Sequence, residues 1–137
     1  MKLCSACLLG LNTRHDGVII KDEKVLELAK TEVLIPVCPE QLGGLSTPRG
    51  TPEIIGDKVL TKQGEDVTEQ FKRGAEEVLK IAKLFNIKEA IMKNKSPSCG
   101  CTKIFDGSFT GKLIEGKGIA SKLLEENGIK LISNDEL

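Results

Sequence analysis

The side chains able to do chemistry gather in three short stretches, LCSACLLG, LIPVCPEQLGG and KNKSPSCGC, which carry Cys7, Cys38 and Cys99. In each, a short apolar run feeds a cysteine set among small or turn-forming residues. Thiolates are nucleophiles and soft metal ligands. The chain has five cysteines in all, with Cys4 and Cys101 beside these three. The count is odd and the N-terminus shows no signal-peptide pattern, so a cytoplasmic location is expected. Metal or redox chemistry then fits better than a disulfide framework.

The neighbours refine this. Cys4-Ser-Ala-Cys7 matches C-x-x-C, a redox motif when it opens a helix whose N-terminus lowers the thiol pKa. Here Cys4 sits inside a predicted strand and Leu-Leu-Gly-Leu-Asn follows Cys7, so Cys4 reads as a small buried apolar residue. Cys38 is followed by Pro, as cluster ligands in iron–sulfur proteins often are, and Glu40 stands beside it. Ser96-Pro-Ser-Cys99-Gly surrounds the third thiol with two hydroxyls and a glycine, which let backbone approach a ligand closely. Structural zinc takes four ligands, usually from paired C-x-x-C units, and only one such pair exists. The lone His15 lies in no metal motif. A 4Fe–4S cluster is normally held by four thiolates, so three would leave one iron open to a soft sulfur atom.

The elements that must position these residues read as follows. Residues 2–6 form a first strand, 24–30 a short helix and 33–37 a buried strand. CPEQLGGLSTPRGTP reads as a long loop. Glu53–Leu60 reads as a hairpin around Gly56–Asp57. A helix is expected from Asp66 as N-cap to about Asn86, with Phe71, Ala75, Val78, Leu79, Ala82 and Phe85 on one face. Ala90–Met92 is a third core strand. A second hairpin is expected from Ile104–Phe105 and Ser108–Phe109 around Asp106–Gly107. Gly118–Glu126 gives a last helix and Lys130–Ile132 a last strand. The pattern is α/β: one domain over residues 1–137, a Rossmann-like, mostly parallel sheet flanked by helices, with two small β-hairpin insertions. Ligands of such sheets sit beyond the carboxyl ends of the strands. Each of the three cysteines follows a strand, so their loops are expected to open on one edge.

Composition narrows the partners. Lys+Arg 20 balances Asp+Glu 20, and the only aromatics are 4 Phe. Neither a phosphate-binding field nor a base-stacking surface is expected, and no apolar run is long enough to span a bilayer. A small molecule is the expected partner.

The stretches SACLLG, TRHDG, PVCPEQLGGLSTPR, GEDVTEQFKRGAEE, KSPSCG and DGSFTGKLIEGKGI, in this order over essentially the whole chain, resemble the thiouracil desulfidase family, long catalogued as a domain of unknown function. The resemblance implies a 4Fe–4S cluster on three cysteines, which fall on Cys7, Cys38 and Cys99, with one iron open. It implies a non-redox reaction in which a thiocarbonyl such as that of 2-thiouracil becomes a carbonyl and sulfide is released. The Glu and Ser that assist in this family fall on Glu40 and on Ser96 or Ser98. Arg14, Asp16 and Arg49 are candidates for a polar rim that binds a base-like substrate. Cys4 and Cys101 depart from the family pattern. A cluster with an open iron is oxygen-sensitive, so aerobic preparation is expected to empty it. Two other readings compete: a metal-binding or cluster-carrier protein without catalysis, and a thiol–disulfide protein using Cys4 and Cys7.

Overall fold

In the computed structural model, which describes residues 1–137, four strands form one parallel sheet. They are β1 (Lys2–Ser5), β2 (Leu34–Val37), β5 (Glu89–Met92) and β8 (Lys130–Ser133), in spatial order β2-β1-β5-β8. The register pairs Leu3 with Ile35 and Ala90, and Ala90 with Leu131. Alternate residues supply the two faces. Leu3, Ala90 and Met92 join Val78, Ala82 and Leu124 in one apolar cluster, whereas Cys4 and Ile91 join Leu8 and Val25 in another. Burial on both faces explains why these strands read as near-continuous apolar runs.

The helices that cover the sheet are α1 (Glu23–Leu28), α2 (Pro39–Leu42), α3 (Thr68–Leu84) and α4 (Ile119–Glu126). Helix α3 buries Phe71, Gly74, Ala75, Val78 and Ala82, the stripe expected from its spacing. Two details differ from expectation. Its N-cap is Val67, because Val67 N–H still donates to Val59 O at 2.9 Å and Asp66 bridges Leu60, so the chain stays extended one residue longer. Asp66 instead accepts from Thr68 N–H at 2.9 Å and from its hydroxyl at 2.6 Å. At the other end the helix stops before Phe85, and Asn86 turns left-handed at φ 53°. Phe85 therefore leaves the apolar stripe and is exposed.

Both hairpins are present. Strand β3 (Pro52–Ile55) pairs with β4 (Lys58–Thr61) across Gly56, whose φ of 63° suits the first turn position. In the second, β6 (Lys103–Phe105) pairs with β7 (Leu113–Glu115) and not with Ser108–Phe109. The intervening loop is folded by Glu53, whose buried carboxylate accepts from Gly107 N–H at 2.9 Å and Phe109 N–H at 3.2 Å. Asp106 caps the same turn through Ser108 N–H. The stretch after Cys38, expected as loop, begins as helix α2, with Pro39 at its first position.

The order of the sheet sets the site. From β1 the chain moves outward to β2, then crosses back over β1 to β5 and continues to β8. The reversal lies between β1 and β5, and a crevice opens there beyond the strand ends. No helix is long and apolar enough to cross a membrane.

Candidate active site

Each of the three thiols is presented by a different strand end. Strand β1 stops at Ser5 and tightens into a 3-10 turn, Ala6–Leu9, which carries Cys7 and is closed by Gly10 at φ 84°. Cys38 follows β2 directly and caps α2. Helix α2 rests on α3 through two glycines: a Cβ on Gly43 would lie 1.9 Å from Gln70 O, and one on Gly74 would lie 1.8 Å from Pro39 O. Cys99 lies in the loop after β5, and α4 holds that loop with its unpaired N-terminal amides. Ile119 N–H donates to Pro97 O at 2.8 Å, Ala120 N–H to Ser98 O at 2.9 Å, and the Ser121 hydroxyl to Cys99 O at 2.7 Å.

One cavity of about 240 Å³ is lined by Cys7, Cys38 and Cys99 together. Glu40, Ser96, Ser98, Arg14 and Arg49 share its wall, whereas Asp16 does not reach it. Asp16 pairs instead with Arg14 at 2.7 Å and accepts from Val18 N–H at 3.0 Å. Burial works against its ionisation, but those two partners outweigh it and hold the carboxyl below its usual range. Burial pushes all three thiols up, Cys99 furthest. Lys93 and Arg14 oppose the shift at Cys7; the Gln41 N–H and Arg49 oppose it at Cys38; the Ser5 and Ser98 hydroxyls oppose it at Cys99. Charge on Cys7 and Cys38 raises Cys99 further, so the three groups lie within electrostatic reach of one another.

A continuous polar chain runs beside the thiols. Ser98 Oγ donates to Glu40 Oε2 at 2.8 Å and lies 3.6 Å from Cys99 Sγ. Ser96 Oγ is 3.0 Å from Ser98 Oγ and accepts the N–H groups of Ser98 and Cys99, each at 3.1 Å. Glu40 Oε1 accepts from Arg49 Nε at 2.9 Å, and both side chains are less than a tenth exposed. Ser98 is buried, whereas Ser96 is only half-buried, so Ser96 forms the accessible end of the chain. Burial strengthens such charge-assisted bonds and makes an unpaired partner costly.

Several residues that shape the site were not singled out by sequence. Asn94 is buried and organises the Cys99 loop: its Oδ1 accepts from Lys95, Cys101, Thr102 and Lys103 N–H at 3.0 to 3.2 Å. Its only signal is an Asn two residues past the end of a strand. Ser5, Thr13 and Lys93 also line the cavity, and no spacing rule marks them. Cys4, by contrast, is fully buried on the other face of the sheet, with its thiol toward Ser5 O. A thiol–disulfide reading of C-x-x-C requires an accessible pair, and Cys4 does not supply one. Cys101 is buried in the core.

The donor set fits a cluster. The three thiols share one cavity and none is in a disulfide. No three His, Cys, Asp or Glu side chains gather so as to hold one metal ion. Thiolates spread around a cavity suit an iron–sulfur cluster, in which each binds its own iron. Comparison with known proteins agrees. A family model described as 2-thiouracil desulfurase matches residues 3–136. YbbK of Bacillus subtilis (strain 168), described as uncharacterized, is 42% identical over 147 aligned positions, covering 100% of this chain and 97% of its own. The solved structure of a protein described as the 4Fe–4S-dependent thiouracil desulfidase TudS superposes with a TM-score of 0.93 at 40% identity, covering 99% of this chain and 91% of the other. The family model and the solved structure both match along nearly the whole chain, which belongs to the 2-thiouracil desulfurase family.

Proposed function

We propose that this protein is a 4Fe–4S-dependent desulfidase that converts the thiocarbonyl of 2-thiouracil or a similar small compound to a carbonyl, releasing sulfide. In this reading Cys7, Cys38 and Cys99 are the cluster ligands. When bound, the cluster supplies a Lewis-acidic iron without a protein ligand, suited to a soft thiocarbonyl sulfur and to departing sulfide. The protein supplies the rest. Glu40 accepts the proton of the attacking water, either directly or through Ser96 and Ser98, whose hydroxyls form an unbroken path to its Oε2. Ser96, at the accessible end, contacts the water or the substrate; Ser98 holds Glu40 in orientation. Arg14, steadied by Asp16, offers a cation at the rim for the polar edge of a base. Water enters and sulfide leaves, so atoms balance without an electron donor.

The observation that carries this reading is the convergence of three thiols on one cavity next to the Glu40–Ser98–Ser96 chain. A cytoplasmic setting fits five unpaired cysteines and a cluster sensitive to oxygen. The test is anaerobic incubation of reconstituted protein with 2-thiouracil, without reductant. Uracil and sulfide in equal amounts are expected; a strict need for an electron donor would refute the non-redox scheme. If protein with about four irons leaves a panel of thio-bases untouched, the substrate assignment fails.

A further inference from the structure

Arg49 carries five N–H donors, and the protein engages all five. Nε donates to Glu40 Oε1 at 2.9 Å. Nη1 donates to Ser46 O at 3.0 Å and to Thr47 Oγ1 at 2.6 Å. Nη2 donates to Thr13 O at 2.6 Å and reaches Cys38 Sγ at 3.8 Å. The side chain is 7% exposed. These bonds tie together the loop after β1, the β2–α2 junction and the 46–49 turn. No donor remains for a ligand.

We infer that Arg49 is a positioning residue: it fixes the Glu40 carboxylate against Ser98 and donates to the Cys38 sulfur, and it does not bind substrate. The inference rests on the reading of Cys38 as a cluster ligand and Glu40 as the base. With Oε1 on Arg49 and Oε2 on Ser98, rotation of the carboxylate is locked from both sides. A lysine cannot replace this, because three donors at one point do not reach acceptors spread around a planar fork. The Cys38 contact has its own logic. As a thiol, Cys38 points at Thr13 O at 3.7 Å. As a ligand thiolate it has no proton, and its sulfur would face the carbonyl oxygen lone pair to lone pair. Arg49 Nη2 lies within reach of both atoms and supplies a donor to each. A cation donating to a ligand sulfur favours the more electron-rich cluster and raises its reduction potential.

The experiment uses reconstituted wild type, Arg49→Lys and Arg49→Gln, with two readouts. The first is the midpoint potential of the cluster, followed by electron paramagnetic resonance during reductive titration. The second is kcat and KM for 2-thiouracil. Arg49→Gln is expected to lower the potential, and Arg49→Lys to recover part of that shift by keeping the charge. Both are expected to lower kcat about 10- to 100-fold, the usual loss when an outer support of a metal site is removed, with KM unchanged. A raised KM with unchanged kcat and potential overturns the inference and makes Arg49 a substrate-binding group. If both variants fail to fold, Thr47→Val deletes one acceptor and keeps the charge. It should lower kcat without changing KM, and an unchanged kcat there overturns the proposal. The potential needs no substrate. A clustered wild type that turns over no thio-base removes the desulfidase reading, and Arg49 is then judged on the potential alone, an unchanged value overturning it.

Discussion

Gly74 lies in the interior of α3, where replacement by alanine should add about 1 kcal/mol through helix propensity. The structure predicts the opposite sign. An added Cβ would stand 1.8 Å from Pro39 O, 2.7 Å from Pro39 C and 3.2 Å from Gly43 N. All three are backbone atoms, so no side chain can swing aside. Helix α2 would have to lift by roughly 1.5–2 Å to restore ordinary contact. Overpacking of this kind costs about 1–3 kcal/mol, and a clash against backbone belongs at the upper end. Set against the propensity gain, Gly74→Ala should lose about 1–2 kcal/mol. The same lift moves Cys38, which caps α2, and Glu40, whose bond to Ser98 is 2.8 Å long. Misplacement of a reacting group by about 1 Å can lower turnover about 10²-fold. Denaturant unfolding of the cluster-free protein measures the first effect, and sulfide release at matched iron content measures the second. A Gly74→Ala protein that is more stable than wild type and fully active would refute the reasoning.

Three further outcomes are expected. Glu40→Gln keeps the shape of the side chain but removes the proton acceptor. Steady-state sulfide release should fall about 10²- to 10³-fold with iron content unchanged, and Ser98→Ala should lose less. Asn94→Ala leaves the Cys101 N–H without its acceptor in a buried loop. At about 1–3 kcal/mol for each buried donor left unpaired, with the other Asn94 bonds lost as well, denaturation should report a loss of about 3 kcal/mol. Burial, reinforced by Cys7 and Asp22, raises the Cys4 thiol from 9.0 to about 12, and burial raises Cys101 to about 11. The folded chain then keeps protons that the unfolded chain releases, so stability is intact below pH 9.0 and falls above it. Each thiol contributes a loss of about 1.4 kcal/mol per pH unit in that window. Urea midpoints of cluster-free protein at pH 7 and 10 should show the fall, and Cys4→Ala should reduce it.

Much of the site was legible because its logic is local. A short apolar run before a cysteine predicts a strand and its end, and the parallel arrangement then brings Cys7, Cys38 and Cys99 to one edge. Gly56 and Asn127–Gly128 mark a turn and a helix end through backbone requirements that few residues meet. What stayed hidden depends on contacts between distant segments. Gly74 looks like a flaw in a helix until Pro39 is seen against it. Glu53 displaces the second hairpin's return strand to Leu113–Glu115 by binding amides more than fifty residues away. Arg49 reads as a candidate for the substrate-binding rim in STPRGTP, yet its acceptors come from Thr13, Cys38, Glu40, Ser46 and Thr47. Asp16 lies near the cavity in sequence but is turned onto Arg14. Spacing cannot distinguish a rim residue from the residue that braces it.

The most direct measurement is iron and acid-labile sulfide, quantified with the visible spectrum on one anaerobic sample of wild type and of four cysteine variants. Wild type and Cys4→Ala should be brown and hold about four irons and four sulfides per chain. Cys7→Ala, Cys38→Ala and Cys99→Ala should each lose the cluster. One equivalent of zinc in a colourless wild type, or a Cys4→Ala protein that cannot hold iron, would contradict a cluster built on these three thiols.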